Sequence, residues 1–144
     1  MSFGYWFEAH LQILASWVMM VGGLLGGAYL GLEIVAKAFP DLRRRIEAIR
    51  PYATPLGIAT LSAGALRLVW PGFGTVFVEH LLPGVLSIAV GLILISDAMR
   101  AKAEASGSPA AGFMDFAKPF APIIGVSSMG AAALHFFAGF VTVL

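Results

Sequence analysis

The chain has 144 residues, of which 59% are hydrophobic and 12% charged, with a net charge of +1 and a mean hydropathy of +0.88. Soluble domains carry about 25% charged residues, so this composition excludes a water-soluble globular fold and predicts a membrane protein. Nine Lys and Arg, mostly confined to two loops, leave no basic face for nucleic acid, and the absence of Cys excludes disulfides, thiolate metal sites and Cys nucleophiles.

The first apolar stretch lies between His10 and Glu33, with 22 uncharged positions between them. At about 1.5 Å per residue a helix of that length crosses the roughly 30 Å apolar layer of a bilayer. Tyr5, Trp6 and Phe7 precede it and suit the membrane–water boundary. With no basic segment before Phe7 and an apolar run this long, no cleaved signal peptide is expected. The helix is expected from about Phe7 to Ala38. Within it Gly22 and Gly26 form one stripe of small residues, and Gly23, Gly27 and Gly31 an adjoining one. Such stripes let helix backbones approach closely in lipid, or leave room for a flat cofactor.

From Glu33 to Arg50 runs a charged loop with five basic and three acidic residues. Pro40-Asp41 starts a short interfacial helix there, with Asp41 as its expected N-cap. The second span is expected over 51–70 and contains one charge, Arg67, which ends a helical stripe of Gly57, Thr60 and Gly64. A PGFGT turn leads to the third span, 76–98, with Glu79-His80 near its start. The stretch 97–118 reads as a polar, flexible loop, and the fourth span, 119–143, has no charge and one strongly polar side chain, His135. Eight of the nine basic residues fall on the two loops joining spans 1–2 and 3–4. Basic loops stay cytoplasmic, so both termini face outward. The fold class predicted is all-α: one domain, 1–144, forming a four-helix transmembrane bundle of a bacterial inner membrane.

Depth arithmetic gathers the polar residues at one end. Arg67 lies 17 residues from Arg50, His80 17 from Asp97, and His135 17 from Lys118. At 1.5 Å each, all three sit roughly 25 Å above the cytoplasmic boundary. His10 lies about 9 Å higher on the same scale. Small residues align with them: Gly84, Ser87 and Gly91 with His80, and Ser128, Ala131, Ala132, Gly139 and Thr142 with His135. Ionisable groups at such depth face the bundle interior or water, so His80, His135 and Arg67 are expected to converge.

Three readings compete for that convergence. In the first, His80 and His135 are axial ligands of haem b, His10 is an alternative ligand, and Arg67 pairs a propionate. In the second, His10, His80 and His135, with Glu79 or Glu8, hold copper or zinc. In the third, the histidines hydrogen-bond as packing glue. No Gly-x-Ser-x-Gly elbow supports hydrolysis, and no span contains a Lys for a retinal Schiff base. The leading expectation is a b-type haem protein for electron transfer, or an accessory subunit of a membrane oxidoreductase working with quinone or a redox partner protein. The alternatives are a metal-binding or translocating protein, and a structural or pigment-binding small subunit of a larger membrane complex. The glycine stripes favour a homo-oligomer or membership of such a complex.

His10, Trp17 and Gly22-Gly23, within FEAHLQILASWVMMVGGL, give the first helix a resemblance to a group of small bacterial membrane proteins. That group includes the copper-resistance D (CopD) domain and the HemJ-type protoporphyrinogen oxidase. The resemblance covers about fifteen residues. It implies a four- or five-helix bundle and makes His10 a ligand of haem or copper.

Overall fold

A computed structural model describes residues 3–70, 81–106 and 115–141, and among these all regular structure is helical, with no strand. The α-helices are α1 (Phe3–Leu30), α2 (Leu32–Ala38), α3 (Arg43–Glu47), α4 (Ala53–Val69), α5 (Leu82–Ser106) and α6 (Ala121–Val141). Short 3-10 turns at Pro40–Leu42, Arg50–Tyr52 and Lys118–Phe120 precede α3, α4 and α6.

Local chemistry sets most of these boundaries. Phe39 (φ −137°, ψ 78°) and Trp70 (φ −127°, ψ 76°) both leave the helical region. Each precedes a proline, whose ring disfavours helical backbone in the residue before it. Pro40, Pro51 and Pro119 stand at the start of their 3-10 turns, where a missing N–H removes nothing. The first helix does not run unbroken to Ala38. It starts at Phe3 and is interrupted at Gly31, whose N–H still bonds to the Gly27 carbonyl at 2.8 Å before α2 begins. Asp41 does not cap a helix: it lies inside the turn that Pro40 opens, and no side chain caps that turn or α3. The expected loop from residue 97 is helical as far as Ser106, because the run DAMRAKAEAS is rich in strong helix formers.

Four long helices, α1, α4, α5 and α6, pack together. The most extensive contacts are α4 with α5 and α1 with α6, followed by α1 with α4. Glycines make the close approaches. A Cβ added at Gly22 would collide with the Thr60 hydroxyl, and Thr60 is fully buried between α1 and α4. One at Gly27 would lie 2.6 Å from the Gly125 carbonyl of α6. On α4 and α5, Gly57 and Gly91 face each other with similar clearance, as do Gly64 and Gly84. Gly26 lies against Val90 and Leu94. The two glycine stripes of α1 thus serve different neighbours, Gly22 and Gly26 facing α4 and α5, and Gly23, Gly27 and Gly31 facing α6.

The pattern of burial is that of an apolar exterior over a partly polar interior. Thr60, Arg67, Ser87, Ser96 and Ser128 are buried, while Phe7, Trp17, Val69, Ile123 and Phe137 stand exposed on the outer faces. Thr60 meets its own hydrogen-bonding need inside its helix, donating to the Leu56 carbonyl at 2.7 Å. Two described helical stretches, Trp6–Leu30 and Asp115–Phe137, are long and apolar enough to cross a membrane, and Leu82–Ser96 is a shorter apolar stretch.

Candidate functional site

Arg67 sits in the last turn of α4 with only 7% of its surface exposed. Its positive charge lies where the unsatisfied carbonyls of a helix C-terminus favour a cation. Facing it on α1 are Glu8, Gln12 and Ala15, spaced so that a helix presents them on one stripe. Together with Leu66 and Trp70 these residues enclose a void of about 10 Å³, close to the smallest space that holds one water. The Trp70 indole N–H donates to Glu8 Oε1 at 3.1 Å and ties the end of α4 to α1. The arrangement brings a carboxylate, an amide, a guanidinium and an indole to one end of the α1–α4 pair.

His10 does not join them. Two residues from Glu8, it projects about 200° further round the helix. It is exposed, its ring lies 4.0 Å from that of Trp6 between centroids, and its Nδ1 is 2.8 Å from the Trp6 carbonyl. The ring N–H therefore donates within its own helix turn. Trp17, seven residues on, is also exposed. His135 does turn inward. It borders a separate void with Met19, Met20, Ser87, Ser128 and Ala132, and its Nδ1 is buried. Depth arithmetic placed Arg67 and His135 at one height, and they line different voids. Glu79 and His80 lie outside the described residues.

A haem held by His135 needs a slot beside that side chain, and the packing there leaves none. The void at His135 contains no space for a water-sized sphere. The glycines that border the helix seams are filled by Thr60, Val90, Leu94 and the backbone of Gly125. One inward-facing histidine among the described residues does not supply two axial ligands. Among the described residues, no three His, Asp or Glu side chains gather closely enough to hold a metal ion.

The sequence pointed to Arg67 and His135 but passed over Gln12, Trp70 and the methionines beside His135. The polar–polar–small spacing of Glu8, Gln12 and Ala15 is the signal that marks the inward face of the N-terminal half of α1.

A model of a protein family of unknown function matches residues 5–135, which take in most of all four long helices. The chain belongs to that family. No curated protein and no solved structure matches it.

Proposed function

We propose that the chain is a four-span integral membrane protein of a bacterial inner membrane, termini outward, that serves as a small accessory subunit of a larger membrane complex. One observation carries this reading: buried Thr60, Arg67, Ser87 and Ser128 lie beneath an exterior of exposed Phe, Trp, Val and Ile on every long helix. In water such a surface would aggregate, whereas lipid or a partner helix accommodates it. A packing role is supported by the glycine contacts that close the seams of α1 with its neighbours and of α4 with α5. The Glu8–Gln12–Arg67–Trp70 cluster is the polar feature at the outer end and the place where a partner meets charge.

The experiment is purification in a mild detergent without an affinity tag. The expected result is a colourless protein retained by membranes at alkaline pH and migrating in an assembly well above the mass of one chain. A monomer would sink the subunit reading.

A second reading, haem b in electron transfer, is favoured by the inward turn of His135. It requires a second ligand, such as His80, and a parting of the helices around Met19 and Ser128. An absorption spectrum, air-oxidised and then dithionite-reduced, separates the two: a Soret band that shifts on reduction and vanishes in His135→Ala selects haem.

A further inference from the structure

We propose that the segment from Glu33 to Tyr52, folded across one end of the bundle, binds the headgroups of anionic phospholipids in the leaflet on its own side. This rests on the membrane reading given above. Residues 33–50 hold five basic and three acidic side chains, a net charge of +2, whereas residues 97–118 hold three of each and balance. Pairing sharpens the excess. Arg43 donates to Glu33 Oε1 at 3.2 Å and to Glu47 Oε1 at 3.1 Å, so one guanidinium occupies two of the three carboxylates. Lys37, Arg44, Arg45 and Arg50 are exposed and make no ion pair among the described residues, and Asp41 is the one carboxylate left in the segment.

The segment is a folded cap and not a tether. α3 packs on α1 and α2, α2 packs on α6, and Ile46 of α3 is buried. The pair between Arg43 and Glu33 closes α3 onto the start of α2. The backbone that carries the four cations is therefore held in place at the end of the bundle. Sorting of topology needs only a count of cations in a loop. An unpaired set carried on a docked cap goes further and suits a standing ligand. Apolar neighbours select its kind: Ile34, Phe39, Leu42 and Tyr52 are exposed among the same residues. Aromatic and branched side chains interleaved with cations match the boundary between headgroups and acyl chains, where apolar contact and attraction to phosphate add. A water-soluble acidic ligand would meet the cations and leave those four side chains in water.

The test is native mass spectrometry of the detergent-purified protein, titrated with phosphatidylglycerol and, separately, phosphatidylcholine of the same chain length. The expected result is phosphatidylglycerol held at least about fivefold more tightly, the preference that one basic residue near a headgroup supplies. Arg44→Gln combined with Arg45→Gln, both at exposed positions, should bring the ratio close to one, with an unchanged helical spectrum showing that the chain has folded. Arg100→Gln, on the charge-balanced loop, should leave the ratio where it is. Equal retention of the two lipids by the native chain overturns the proposal. So does a ratio that the arginine pair does not lower, or that Arg100→Gln lowers as far. Glycerophosphoglycerol, the same headgroup without acyl chains, is the last arm: binding as tight as that of the intact lipid makes the ligand a soluble phosphate and overturns the lipid. Carbonate extraction of the membranes keeps the failures apart. A chain released by carbonate loses the membrane reading itself, whereas a chain retained without lipid preference loses only the headgroup site.

Discussion

At the scale of single residues, what a side chain meets decides more than its type. Gly27 and Gly91 lie so close to the carbonyls of Gly125 and Gly57 that a Cβ would approach to 2.6 Å in each case. Gly27→Ala and Gly91→Ala should each destabilise the bundle by about 1–3 kcal/mol, the usual penalty of overpacking. Gly130, also in a helix, has nothing within 4 Å of its added Cβ. Gly130→Ala should therefore be neutral or stabilise by up to about 1 kcal/mol through helix propensity alone. Thermal unfolding followed by circular dichroism in detergent distinguishes the three, and equal effects at all of them would mean that the glycines do not set the seams. The Glu8–Trp70 hydrogen bond is a smaller matter, since Trp70 is half exposed. Trp70→Phe should lower stability by about 0.5 kcal/mol, and Glu8→Gln combined with it should add little further, a non-additivity that a double-mutant cycle measures.

At the scale of elements, α5 carries the sharpest difference between sequence and structure. The charged residues after Ser96 mark the end of an apolar run, and a reading tuned to the membrane takes that as the end of the helix. Ala, Met, Arg, Lys and Glu are strong helix formers in water too, so the helix continues to Ser106. Ala103→Pro should shorten α5 by its last turn and lower the far-ultraviolet helical signal, whereas in a flexible loop it would be silent. The same limit governed the cluster around Arg67. Spacing along the chain gives an expected height, whereas Arg67 lies against Glu8, Gln12 and Ala15 of α1 and His135 against Met19 and Met20. Whether they meet depends on helix rotation and on which neighbour each glycine stripe selects. Glu8 and His10 differ little in height yet face opposite ways. The glycine stripes of α1 were legible as small-residue faces, but only packing against Thr60 and Gly125 shows that helices, not a flat ligand, fill them.

At the scale of the whole molecule, the proposed topology makes a direct prediction. The chain has no native Cys, so single cysteines report location without background. Gly4→Cys, at a position with open space around it, should react with a membrane-impermeant maleimide in intact spheroplasts. Asp41→Cys, exposed between α2 and α3, should react only after lysis. The reverse pattern would place the termini inside. The ion pairs of Arg43 with Glu33 at 3.2 Å and Glu47 at 3.1 Å lie on that same connecting region. All three side chains are more than half exposed, so the pairs order the surface and add little to stability.

If the four long helices span a bilayer as proposed, their unequal lengths have a consequence for the surrounding lipid. Over its 28 residues α1 measures about 42 Å, and α4, with 17, about 26 Å. Set in one bilayer, the tall side must tilt or protrude, and on the short side the lipids must thin by a few ångströms. Each ångström of such mismatch costs a fraction of a kcal/mol, and the strain is confined to one flank. The bundle is then a wedge that feels membrane thickness. It would drift toward thinner regions, and a neighbour of matching height would find its seat along α4, where relief of elastic strain adds to any contact made.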